Sequence, residues 1–241
     1  MRVLIACEES QVVTKAFRDR GFEAYSCDIM PCSGDHPEWH IQEDVTKKLN
    51  DGWDLMISHP PCTYLTSSGM HWTTRGFRPQ SLTDDALSFV QTLMDAPIPF
   101  IAIENPVGRI GTTIRKADQY IKPYEFGHDA SKTTGLWLKD LPLLHATKHV
   151  LPSRWACCGL WQDEGQCSEC GKDTKPRWAN QTPRGQDGSP PSADRATKRS
   201  KTFTGIASAM ADQWGDYIKL MKFFETVRET SITDPNTFGV I

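Results

Sequence analysis

The chain of 241 residues sets 27 Lys and Arg against 30 Asp and Glu, a net charge of −3, and is 38% hydrophobic and 24% charged. This composition excludes a disordered or collagen-like chain and fits one α/β domain with a modest extra module, whose core needs no disulfides. No apolar run approaches the roughly 18 residues of a membrane span, and Met1 to Cys7 is too short for a signal peptide, so neither export nor a membrane partner is expected.

Val3 to Ala6 reads as a short apolar strand, after which Ser10 opens a helix carrying Val12, Val13, Ala16 and Phe17 and Gly21 ends it. Glu23 to Cys27 is a second strand ending at Asp28, followed by a Pro-, Gly- and His-rich loop to Ile41 and Asp44. Trp53 to Ser58 is a third strand, stopped by Pro60-Pro61. Ser81 or Thr83 caps a helix with Leu87, Val90 and Met94 on one face, and Pro97 and Pro99 lead into the strand Phe100 to Ile103, which ends at Glu104-Asn105-Pro106. Strands alternating with helices predict an α/β fold with a mostly parallel sheet covered on both faces. Beyond residue 142 the periodicity lapses into a loop-rich stretch with four cysteines, and from Gly205 a helical pattern returns in Ile206, Met210, Trp214, Tyr217, Met221 and Phe224. The expected division is a catalytic domain at 1–141, a Cys-rich basic insertion at 142–202, a helix at 203–229 packing back on the first domain, and a frayed tail at 230–241.

In an open parallel sheet, ligands sit beyond the carboxyl ends of the strands. Asp28 there can accept hydrogen bonds from a ribose diol. Asp44 can accept from an exocyclic amine or cap its own helix. Cys62, fixed behind two prolines, is either a held nucleophilic thiol or a small buried hydrophobe in a tight turn. Glu104 ends an apolar strand, a setting expected to raise its pKa and let it hold a proton. A thiol and a protonated carboxyl at neighbouring strand ends would together activate a pyrimidine ring.

Arg20-Gly21-Phe22-Glu23 before the strand to Asp28, Trp53 to Ile57 leading into Pro60-Pro61-Cys62, and then Ile103-Glu104-Asn105 follow one another in the order of the DNA cytosine-5 methyltransferases, which residues 1–140 resemble. The resemblance implies a Rossmann-like S-adenosylmethionine-dependent methyltransferase fold in a short, phage-like member working in a prokaryotic cytoplasm. It implies attack of Cys62 on C6 of a cytosine flipped out of DNA, with Glu104, beside Asn105, holding N3, and transfer of a one-carbon group to C5. S-adenosylmethionine, or a modified analogue of it, would lie against Ala6, Cys7, Glu8, Glu9, Asp28, Ile29, Asp44 and Pro60. The chain departs from the family where Ala6-Cys7-Glu8-Glu9-Ser10 replaces a glycine-rich loop. Glu8 and Glu9 either face the cofactor's ammonium or form an acidic helix start. Ser131-Lys132-Thr133 is the nearest match to the family's base-contacting motif. The alternatives are the same chemistry on a free pyrimidine nucleotide, or with a modified donor, and a catalytically silent DNA-binding module.

Cys157-Cys158 and Cys167-Ser-Glu-Cys170-Gly171 read as a structural zinc site or as free thiols, with His145 and His149 as spare ligands. Between Lys172 and Lys201 eight Lys and Arg face three Asp, a net of +5 that leaves −8 for the remainder. In this stretch Arg177, Arg184, Lys198 and Arg199, with Lys132, are the expected phosphate contacts. Trp155 and Trp161 are read as core residues of the insertion, Trp178 as core or a stacking surface. A reader this small implies short or loose sequence specificity.

Overall fold

The computed structural model describes residues 1–188 and 201–233. Its main sheet has seven strands in the order β3-β2-β1-β4-β5-β7-β6. These are β1 Arg2–Ala6, β2 Glu23–Asp28, β3 His40–Gln42, β4 Leu55–Ser58, β5 Phe100–Pro106, β6 Gln119–Ile121 and β7 Thr134–Lys139. The first five are parallel, and β7 runs antiparallel to both β5 and β6. This mixed, mostly parallel α/β sheet is Rossmann-like. Strand order reverses between β1 and β4, which makes the crevice beyond those two strands the expected ligand site.

Period-two patterning builds the two layers. Val3, Ile5, Leu55, Ile57 and Ala102 point to one side, where they pack with Val13 and Phe17 of α1 (Val12–Arg18) and with Ile206, Met210 and Trp214 from the C-terminal helices. Leu4, Ala6, Met56, Ile101 and Ile103 point to the other, against Leu87, Val90 and Leu93 of α3 (Ser81–Met94) and Ile110 of α4 (Arg109–Thr113). Between β4 and α3 lies α2, Ser67–Thr74. At the C-terminal end α5 (Thr204–Ala209) passes through one π-helical stretch, Met210–Trp214, into α6 (Gly215–Thr233). Trp214 is fully buried and its indole N–H donates to Pro142 O at 2.9 Å, while Leu144 is buried in the same layer. No helix among the described residues is long and apolar enough to cross a membrane.

Two expectations are corrected. The first helix opens at Val12 rather than Ser10, behind Gln11 in the left-handed region (φ 59), because the Glu8 side chain, four residues ahead of the helix, supplies the cap. Ser81 is the first residue of α3 and follows Gln80, while Thr83 is buried with its hydroxyl 3.6 Å from the Met70 sulfur; neither caps the helix through its side chain. The sheet is mostly parallel as expected, and Leu136-Trp137-Leu138 forms the reversed strand that returns antiparallel to β5.

The insertion builds a second, three-stranded antiparallel sheet, β10-β8-β9, from β8 Arg154–Cys157, β9 Leu160–Gln162 and β10 Lys175–Arg177. It docks on the loop before β7. Trp178 stacks on Tyr124 with ring centroids 4.4 Å apart and planes 5° from parallel. The Asn180 side chain accepts from Ser131 N at 2.9 Å and donates to Ser131 O at 3.0 Å. Trp161 is exposed with the Arg154 guanidinium over its ring, so it is not a core residue: a sheet of three short strands cannot enclose so large a side chain.

Candidate active site

The ends of β1, β2, β4 and β5 meet along one edge of the sheet, as their register requires: Ala6 pairs with both Cys27 and Ser58, and Ser58 pairs with Ile103. His59-Pro60-Pro61-Cys62 and Glu104-Asn105-Pro106 therefore leave neighbouring strands side by side.

Asn105 is buried, and its side-chain N–H donates to Pro60 O at 2.7 Å, tying the two segments together. The half-buried Cys62 opens a turn in which its carbonyl accepts from Leu65 N and Thr66 N, both at 3.0 Å. Two glycines brace that turn from outside. A Cβ on Gly69 would lie 2.1 Å from Thr63 O, and one on Gly108 1.9 Å from Leu65 O. The Arg109 amide adds a 2.7 Å bond to the same Leu65 carbonyl. Gly108→Ala has to move backbone rather than a side chain, so it is expected to cost about 1–3 kcal/mol in a thermal melt and to slow modification of the Cys62 thiol by alkylating reagents relative to wild type.

Glu104 is enclosed but not in apolar surroundings. Its Oε2 lies 3.2 Å from His59 Nδ1, and the two side chains are 12% and 9% exposed. Burial pushes its pKa up. The His59 hydrogen bond, the charges of Lys132 and His59 and the Thr134 hydroxyl together outweigh that, and the net shift is downward. The expectation of a raised pKa is thus corrected, because polar groups from β4, β7 and the loop before β7 converge on a carboxyl that follows an apolar strand. Lys132, the candidate base contact, is one of them. His59 is the site residue the sequence reading missed. Its signal was a polar side chain directly before Pro-Pro at a strand end.

Along the other half of the crevice, Ala6 is buried and Cys7 bends away from β1 with φ 59. Burial, with Asp28 nearby, pushes the Cys7 thiol up to about 12. The Glu8 carboxylate is buried in the start of α1, accepting from Val13 N at 2.7 Å, Thr14 N at 3.2 Å and the Thr14 hydroxyl at 2.7 Å. It serves the helix terminus, of the two roles read for it. Glu8→Ala strands those donors and is expected to lower stability by about 2–3 kcal/mol, whereas Glu8→Gln keeps an acceptor and loses less; denaturant titration separates the two. Glu9 accepts from the Ser33 hydroxyl at 3.3 Å. Asp28 holds the Met30 amide at 2.8 Å, with its pKa raised by burial, and beside it Ile29 is 72% exposed. Asp44 accepts from the Thr46 amide (2.9 Å) and hydroxyl (2.8 Å), which is the helix-cap role, and these bonds lower its pKa. Pro60 is buried beneath the Cys62 turn.

After Cys62 comes a second feature with no place in the sequence reading. Residues 63–80 contain Arg75, Arg78 and His71 and no Asp or Glu. Trp72 and Phe77 are exposed and packed edge to face at 5.7 Å, and Arg78 lies over the Tyr64 ring.

The sulfurs of Cys157, Cys158, Cys167 and Cys170 all lie within 4.8 Å of one another, a group that could hold a metal ion; His145 and His149 are not part of it. Adjacent cysteines share the site because Cys158 and Gly159, at φ 54 and 78, form the two-residue turn joining β8 to β9. Gly171 (φ 67) closes the facing knuckle, with Gly171 N donating to Cys167 O at 2.9 Å. The Lys172 backbone N–H, and then the neighbouring thiols, draw Cys170 down to about 7. Arg177 is tethered through its Nε to Pro183 O at 3.1 Å, and Arg184 lies against Gly159. Lys198 and Arg199 lie outside the described residues.

No family model and no curated protein matches the chain. Among solved structures it is similar to a candidate DNA modification methyltransferase encoded within a prophage (E. coli), at 15% identity and a TM-score of 0.41 over 71% of this chain. That similarity spans 62% of the other chain, so this chain accounts for less than two thirds of its length.

Proposed function

We propose that the protein is a DNA cytosine-5 methyltransferase. The observation that carries this reading is the joining of Pro60-Pro61-Cys62 to Glu104-Asn105 by the Asn105–Pro60 hydrogen bond, which sets a thiol and a carboxyl at the mouths of adjacent strands. As the Cys62 thiolate bonds to C6, the C5–C6 π pair shifts to C4–C5, the C4–N3 π pair moves onto N3, and N3 takes a proton from Glu104. Loss of the C5 proton to water, expulsion of the thiolate and return of the N3 proton to Glu104 restore both groups to their starting states. When bound, S-adenosylmethionine supplies the one-carbon group that C5 takes. The crevice suits it: Ile29 offers an exposed apolar surface to an adenine ring, and Asp28 offers a carboxylate to the ribose hydroxyls.

DNA, with the target cytosine flipped out, is the substrate this surface favours. The acid-free aromatic and basic stretch after Cys62 and the arginines of the small sheet offer stacking faces and phosphate partners to a nucleic acid. The four-cysteine group is assigned to zinc. Thiolates about 2.3 Å from one tetrahedral ion stand about 3.8 Å apart, and the Cys157 sulfur is 3.9 Å from that of Cys158 and 3.6 Å from that of Cys170.

The deciding experiment incubates the protein with S-adenosylmethionine and a duplex oligonucleotide carrying 5-fluorocytosine, whose C5 fluorine cannot leave as the proton does. A denaturant-resistant adduct mapped to Cys62 is the expected product. Failure to trap while the oligonucleotide and S-adenosylmethionine both bind overturns the reading. Modification of free dCMP with none of DNA moves the chemistry to a nucleotide.

A further inference from the structure

We infer that His59 is a positioning residue for Glu104: its Nδ1–H holds Oε2 of the carboxyl so that Oε1 is the oxygen presented to the pyrimidine ring. The inference rests on the cytosine reading above and adds to it a residue that the resemblance does not supply.

The geometry is specific. A carboxylate on a strand end can rotate about its last bond, and the ring needs one oxygen in the plane of N3. The His59–Glu104 contact of 3.2 Å removes that freedom. Both partners are rigidly borne. His59 leaves β4 directly before Pro60, whose ring restricts the residue ahead of it to extended backbone. Glu104 lies within β5, paired with Leu136 of β7. With Glu104 ionised, His59 must be the donor, which assigns the proton to Nδ1. Its Nε2 is buried with no hydrogen-bond partner among the described residues, so Glu104 is the partner that orients the ring.

The same contact sets when Glu104 takes up its proton. The groups facing the carboxyl are His59 from the end of β4, Lys132 from the loop before β7 and the Thr134 hydroxyl of β7, and each favours the anion. Glu104 therefore stays charged in the empty site and gains its proton only when a ring brings the N3 lone pair against Oε1. A carboxyl protonated in advance would hold its proton on either oxygen.

The test compares His59→Phe, which keeps a flat ring without a donor, with His59→Asn, whose Nδ2 falls near the position of Nδ1. The carboxyl carbon of 13C-labelled Glu104, identified by its loss in Glu104→Gln, is titrated by NMR in each protein without substrate. The expected result is an upward move of the Glu104 titration in His59→Phe and a nearly unchanged one in His59→Asn. In the 5-fluorocytosine trapping assay, His59→Phe is expected to fall about a hundredfold, with the alkaline limb of its pH profile moved to higher pH. His59→Asn is expected to trap at nearly the wild-type rate. An unmoved Glu104 titration in His59→Phe, or equal trapping by the two variants, overturns the role of His59. A wild-type protein that forms no adduct overturns the cytosine reading instead, and the NMR titration still decides whether His59 governs Glu104.

Discussion

Cys62→Ser is expected to abolish both the 5-fluorocytosine adduct and cytosine turnover, by about 10⁴-fold or more, while leaving DNA binding and melting temperature close to wild type. A serine hydroxyl differs from the thiol by one atom but is far less acidic and far less nucleophilic at neutral pH, so it cannot replace the thiolate in attack on C6. The side chain is half-buried at the head of a turn in which the Cys62 carbonyl accepts from Leu65 N and Thr66 N, and serine keeps that backbone and nearly the same side-chain volume. The measurement that checks it is initial-rate transfer of radiolabelled methyl groups to duplex DNA beside a binding isotherm. A silent DNA-binding module would pass through this substitution unchanged in every property.

The second large effect belongs to the small sheet. Its strands are three or four residues long and Ala156 and Cys167 are its buried hydrophobic residues, too little apolar area to hold ten extended backbone positions in place. A four-thiolate zinc site supplies about 10–16 kcal/mol of apparent folding free energy in peptides of this kind. Chelation with 1,10-phenanthroline, or Cys167→Ser, is therefore expected to unfold residues 151–188 while the seven-stranded sheet keeps its own transition. Hydrogen exchange should show protection lost in β8 to β10 and retained in β1, β4 and β5. DNA affinity should fall with it, because Arg177 and Arg184 lose their fixed placement, and adduct formation at saturating DNA should persist. Retained protection in the small sheet after complete metal removal would overturn the assignment.

The strands that hold the site were legible because each is buried on both faces and reads as a short apolar run: Val3 to Ala6, Leu55 to Ser58 and Phe100 to Ile103 need no context to be recognised. The last two strands were not. Gln119–Ile121 is three residues long, and Thr134–Lys139 reverses direction without a turn signature of its own, so only pairing with β5 makes it a strand. The candidate site was legible as residue types at strand ends. What escaped was its electrostatics. The apolar residues preceding Glu104 describe the strand it ends, whereas its pKa is governed by His59, Lys132 and Thr134, up to 45 positions away in sequence. Glu8 escaped for a related reason: a cap donated from four residues upstream of the helix leaves no local motif.

The hydrogen bond from Asn105 to Pro60 has a consequence for what this chain can exchange for what. Two successive prolines bring no N–H groups to the segment before Cys62, so that stretch can be gripped only by its carbonyls, and only a donor can grip a carbonyl. An aspartate or a leucine of similar size in place of Asn105 has nothing to offer there. The stiffness of the proline pair and the amide of the residue after Glu104 are thus two halves of one fastening, contributed by strands 45 residues apart. Any residue at position 60 would still present that carbonyl, so the fastening depends on the donor that Asn105 supplies.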